Sequence, residues 1–184
     1  FPSVKKVWLH DVYTIDKKFF QSHLQKIGQA ISNPVTQKTI VRLQGKKETP
    51  KNIFDWVIEI GFLPGVTDNI ANTTKEIIED LLKDKFSNEE GVFTSQLLLI
   101  SGKLSVNEIN KLTETLYNPI IQRVHIKSYK DYRRDGGMGF IVPKVKLLQN
   151  PEITVVNLDV PDEELTKIGK AGIANSDGSR RGPL

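Results

Sequence analysis

Two stretches of this chain repeat one another, and that repeat constrains the fold more than any single motif. "ISNPVTQKTIV" (Ile31 to Val41) matches "LYNPIIQRVHI" (Leu116 to Ile126). Asn33 and Asn118 align, as do Pro34 and Pro119, Gln37 and Gln122, and Lys38 and Arg123. A strand and a helix are expected before each match and a strand after it, so the pattern reads as one α+β unit used twice. Only the second copy has a further strand and helix in front of it. The first copy is then a unit without its opening pair.

The elements around the repeat follow from periodicity. "VKKVWLHDVYTI" (Val4 to Ile15) is rich in β-branched and aromatic residues and predicts a strand. A helix is expected from about Asp16, with Phe20, Leu24, Ile27 and Ile31 forming its apolar stripe. Asn33-Pro34 ends it, since a residue before proline is driven out of the helical region. "KTIVRL" then predicts a short strand and "QGKKETPKN" a polar loop.

"FDWVIEIGF" alternates, which places Phe54, Trp56, Ile58, Ile60 and Phe62 on one face and Asp55 and Glu59 on the other. A turn at Pro64-Gly65 follows, and Asp68 is suited to cap the amphipathic helix after it. "GVFTSQLLLIS" reads as a strand. Ser105 and Glu108 form a capping box, Leu104 can staple onto Ile109, and Ile109, Leu112 and Leu116 make the buried stripe. Asn118-Pro119 stops that helix, and "QRVHIKSY" is the next strand. From Lys127 the texture loosens into an extended arm, with a glycine cluster at Gly136, Gly137 and Gly139 and a short helix opened by Pro161.

The expected organisation is therefore a truncated first unit at 1–43, a loop at 44–53, a second unit at 54–129 and a linker at 130–184. The fold class is α+β: duplicated units, each an antiparallel sheet with helices on one face, then an extended arm with a short helix. The chain opens on Phe1 and ends "GSRRGPL", and it reads as a piece of something longer.

Chemistry is sparse. Absence of cysteine excludes disulfides, thiolate metal sites and a cysteine nucleophile, and fits a reducing cytoplasm. No apolar run approaches the roughly 20 residues that span a bilayer, so no membrane partner is expected. The net charge of +4 is mild for a nucleic-acid binder. Lys127, Lys130, Arg133, Arg134, Lys144 and Lys146, interleaved with Tyr129, Tyr132 and Phe140, could stack RNA. A basic arm docking on an acidic neighbour is the stronger reading. "DGGMG" matches neither common phosphate-loop spacing. His10, His23 and His125 lack metal-ligand spacing, and no catalytic arrangement emerges. The Pro64-Gly65 corner could admit an anion at the helix start, but it carries no lysine or arginine. A regulatory metabolite at that corner is the second rival reading.

"DVYTID", "WVIEIGFLPGVTDNIANTTKEIIEDLL", "VFTSQLLLISGKLSVNEINKL" and "NPIIQRVHI" resemble the leading region of phosphoribosylformylglycinamidine synthase, in the form that fuses a small PurS-type unit ahead of the synthetase. "NLDVPDEELTKIGKAGIANSDGSRRGPL" is similar to the stretch leading into that family's catalytic domains. The resemblance implies paired PurS-type units in a double sheet. It also implies a role in assembly beside the synthetase domains and a glutamine amidotransferase, with ATP and magnesium bound only downstream. No catalytic, cofactor-binding or metal residue is implied in this chain. Pro64, Gly65, Asp68, Asn33, Pro34, Gln37, Asn118, Pro119 and Gln122 remain as structural corner and domain-packing candidates.

Overall fold

The computed structural model describes residues 3–43, 53–145 and 156–172. Its strands are β1 (Val4–Asp16), β2 (Trp56–Phe62), β3 (Gly91–Gly102) and β4 (Gln122–Ser128). Its helices are α1 (Gln21–Ala30), α2 (Asn69–Leu82), α3 (Val106–Glu114), α4 (Tyr129–Asp135) and α5 (Asp162–Ala171). The four strands form a single antiparallel sheet in the order β1-β3-β2-β4. One α+β sheet thus takes the place of the expected double sheet, because β1 hydrogen-bonds directly to β3 and merges the two halves.

Residues paired across antiparallel strands share a face. Leu9, Ile15, Val92, Leu98, Ile58 and Ile60 therefore lie on one side of the sheet. α2 packs Ala71 and Ile78 there, against Ile27 of α1 and Val92 of β3. α3 brings Ile109 onto Ile58, Ile60 and Ile100, with Leu104 stapled beside it. Ile58, Ile100 and Ile109 are wholly buried. Each such side chain contributes about 1.5–3 kcal/mol relative to exposure.

The opposite face is also covered, which the alternation in β2 does not announce. Val57, Leu97 and Leu99 meet Phe54, Tyr132 and Met138 there. Phe54 therefore leaves the row of Trp56, Ile58 and Ile60. It sits ahead of the strand, where Asp55 takes a hydrogen bond from Gly102 N at 2.7 Å and turns the chain. Edge-to-face contacts with Tyr129 and Tyr132, both at 5.2 Å between ring centres, hold it.

Tyr129–Asp135, expected within the extended arm, is α4. Ser128 caps it by accepting from Asp131 N, and Gly136 in the left-handed region closes it. Gly136 and Met138 thus belong to a packed corner, so helices lie on both faces rather than one. Other expectations change as well. β1 continues to Asp16, paired with Gly91, so α1 begins only at Gln21. Its N-cap is Phe20, with no side-chain cap and 77% exposed, so it stands outside the buried stripe. Leu116, placed in the stripe of α3, lies past that helix and is exposed. "KTIVRL" forms no strand, although "QRVHIKS" does.

Lys17 ties the first half to the second. Its Nζ donates to Lys85 O at 2.6 Å and pairs with Asp84 and Glu90, each at 3.2 Å. Burial works against its charge, but the hydrogen bonds to those carboxylates prevail and raise its pKa. Compactness divides the chain at Val145, and α5 falls in the second unit, Lys146–Leu184. Pro161 is its N-cap rather than its first helical residue, and three acids occupy its first turn. The loop expected at 44–53, except Ile53, lies outside the described residues, as do the arm at 146–155 and the tail from Ile173.

Candidate functional site

The Pro64-Gly65 turn is built from backbone. Leu63 N donates to Ile121 O at 3.0 Å and Val66 N to Leu63 O at 3.2 Å. Gly65 takes φ +84°, a region that disfavours side chains, and Val145 packs beside it. Asp68 then does two things. One carboxylate oxygen accepts from Ala71 N at 2.9 Å, capping α2. The other accepts from Thr94 N at 2.9 Å and Thr94 Oγ1 at 2.8 Å, clipping that helix to β3. A carboxylate of the protein's own therefore faces the start of α2, where a bound anion would otherwise approach.

The two repeated corners are hydrogen-bonded alike. Gln37 Oε1 accepts from Asn33 N at 2.8 Å, while Asn33 Oδ1 accepts from Val35 N at 2.9 Å. Gln122 Oε1 accepts from Asn118 N at 2.8 Å, while Asn118 Oδ1 accepts from Ile120 N at 3.0 Å. In each, the Gln N–H returns to the Asn carbonyl at 2.8 Å. Pro34 and Pro119 occupy the position after the asparagine, where the turn asks for no donor. Asn and Gln are thus committed to their own backbone, and the corner closes on itself.

A buried polar group escaped the sequence reading. Glu59, in the middle of "WVIEIGF", is 6% exposed. Its Oε1 accepts from Ser95 Oγ at 2.9 Å and pairs with Arg123 Nη2 at 3.4 Å. Arg123 Nε and Nη1 are buried without hydrogen-bond partners. Gly61 makes room: a Cβ there would stand 2.7 Å from Arg123 Nη2 and 3.2 Å from Ser95 Cβ. An acid in an apolar run was the available signal, but its partner depends on strand register.

The histidines do not converge. His10 on β1 and His125 on β4 lie at opposite edges of the sheet, and His23 in α1 contacts the rings of Phe19 and Phe20. Burial, reinforced by nearby Arg42, lowers the His10 pKa. Several arm cations are engaged internally. Lys127 pairs with Asp135 at 3.0 Å, and Arg134 reaches Asp131 at 2.8 Å and Asp135 at 2.9 Å. Lys144 contacts Asp16 and the Glu89 carbonyl. A shallow groove of about 390 Å³ runs past Tyr13, Ile31, Asn69, Ile70, Thr73 and Ile77, a lining without charge. Among the described residues no group of three or more His, Cys, Asp or Glu is placed to hold a metal ion. Nor is any described helix long and apolar enough to cross a membrane.

Comparison with protein-family models, with curated proteins and with solved structures finds no match for this chain.

Proposed function

We propose that this chain is the leading, non-catalytic assembly region of a phosphoribosylformylglycinamidine synthase, with a PurS-type unit fused ahead of the synthetase domains. The parent reaction uses ATP and glutamine to convert formylglycinamide ribonucleotide to formylglycinamidine ribonucleotide in cytoplasmic purine synthesis. The observation that carries the reading is the pair of Asn-Pro-x-x-Gln corners with like hydrogen bonds, set in an antiparallel α+β sheet. They support a unit used twice, as the resemblance implies. The side-chain amide oxygens of the corners and the Asp68 carboxylate are spent on the fold, which suits a scaffold. ATP, magnesium and the amidotransferase chemistry belong, on this reading, to domains beyond the chain. Of the six cations that an RNA-binding reading invokes, Lys127, Arg134 and Lys144 are each tied to a carboxylate, which weakens that reading.

The test mixes the purified chain with synthetase domains of such an enzyme and their glutaminase. The chain alone should turn over nothing. It should bind the synthetase domains and raise glutamine-driven turnover above ammonia-driven turnover. Absence of binding and of any effect overturns the proposal, as does turnover by the isolated chain with ammonia and ATP.

A further inference from the structure

α2 carries one apolar stripe more than the fold uses. Ala71, Thr74 and Ile78 face inward and are buried. Ile70, Ile77 and Leu81 lie on an adjoining stripe and are 59%, 38% and 43% exposed. With Thr74 at the remaining position, the steps are four, three and four residues, the spacing of a seam on which a second helix packs. The stripe runs for about three turns, or about 16 Å at 1.5 Å per residue. An amphipathic helix of a folded chain needs one such face, and this one has two.

The open stripe borders the shallow groove. Three elements line that groove: Tyr13 of β1, Ala30 and Ile31 at the end of α1, and Ile70, Thr73 and Ile77 of α2. Its lining is uncharged, but its surroundings are acidic. Glu76 and Asp80 flank the stripe on the side away from Ile78, and both are exposed. Lys85 feels their charge, yet its ammonium is bonded to Glu79 at 2.7 Å. Asp11, also exposed, stands two residues before Tyr13 on the same face of β1. Burial, then Asp11 and Asp68, raise the Tyr13 pKa, so negative potential reaches into the groove. α1 adds Lys26, one turn before Ala30. The acids outnumber it.

Shape and charge together state what fits. We propose that the groove and the Ile70-Ile77-Leu81 stripe receive an amphipathic helix of a partner protein, apolar along one seam and flanked by lysine or arginine. Its apolar side chains, at i, i+4 and i+7, enter the groove beside α2. Its cations meet Glu76, Asp80 and Asp11 at the edges, where they favour encounter and fix register. A second copy offering its own α2 would set Glu76 and Asp80 against their equivalents, and like charges across a helix pair repel. The occupant is therefore a different chain. This inference stands on α2 and the groove, not on the enzyme proposed above.

The test titrates the intact chain with two synthetic helical peptides that share a leucine seam and follows backbone amide resonances. One peptide carries lysine along the flank and the other glutamate. The lysine peptide should shift Ala30, Ile31 and Asn69–Leu82 and bind roughly 10-fold or more tighter than the glutamate peptide. Ile70→Asp, at an exposed position, should weaken the lysine peptide by roughly 10-fold or more. Glu76→Lys with Asp80→Lys, also exposed, should reverse the preference between the peptides. Absence of shifts at those residues, equal binding of the two peptides, or binding indifferent to Ile70→Asp overturns the proposal. Self-association of the chain that Ile70→Asp abolishes would make a second copy the occupant, and overturns it as well.

Discussion

The corner at Asn33 and the corner at Asn118 close with like hydrogen bonds, yet the chain leaves them differently. After Gln122 it becomes β4, paired from end to end with β2. After Gln37 it carries no strand, although "KTIVRL" has the β-branched character of "RVHIKS". The difference teaches where each kind of structure is decided. A turn of this type is settled by two side chains and a proline, all local. A strand is settled by whether a partner backbone lies alongside, and composition does not supply one.

The largest test of that contrast sets Arg123 against Lys38. Arg123→Met leaves the Glu59 carboxylate buried beside Ser95 alone and should cost roughly 3–5 kcal/mol. Lys38→Met, at an exposed equivalent, should change stability by less than about 0.5 kcal/mol. Urea denaturation of both variants checks the pair, and equal losses would break the comparison. Next come Ile109 and Leu24, which the repeat makes equivalent. Ile109→Ala empties a wholly buried site and should cost about 2–5 kcal/mol. Leu24→Ala, at a half-buried site, should cost about 1 kcal/mol.

Smaller again is the corner itself. Asn118→Ala removes the acceptor for Ile120 N and should cost about 1 kcal/mol, because β4 hangs from it. Asn33→Ala should lie within about 0.5 kcal/mol, since no strand depends on that turn. Thermal melts of the two variants measure the gap.

The smallest effect is acid sensitivity. A backbone hydrogen bond from Ser87 lowers the Glu90 pKa, and one from Ser105 lowers that of Glu108. A hydrogen bond from Lys85 lowers that of Glu79. A lowered folded-state pKa gives stability that is present above the unfolded value and lost as pH falls through the folded one. The second half should therefore loosen as pH drops below the ordinary carboxylate range. His10, lowered by burial, adds a loss in the first half that begins as pH falls below 6.5. Amide exchange at a series of pH values would separate the halves.

Much of this fold can be read from residue order. The capping box at Ser105 and Glu108, the Asp68 cap, the staple of Leu104 and the turn at Gly65 all form as the local pattern requires. What stays hidden is nonlocal. Alternation in "FDWVIEIGF" assigns Phe54 to the wrong face, because Asp55 bonds to Gly102, far along the chain. The texture of "SYKDYRRDGGMG" suggests an arm, because Tyr132 earns its helix only by burial against Phe54. Among the candidate residues, the asparagines, prolines and glutamines of the corners were visible as a repeat. The pairing of Glu59 with Arg123 was not, since it becomes meaningful only when β2 and β4 lie side by side.

Their juxtaposition also restricts how this sequence can change. Since a methyl group at position 61 would stand 2.7 Å from Arg123 Nη2, any side chain there would push the guanidinium away from Glu59. A shorter residue at position 123 would relieve that contact and leave the 3.2 Å approach to Ser95 Cβ.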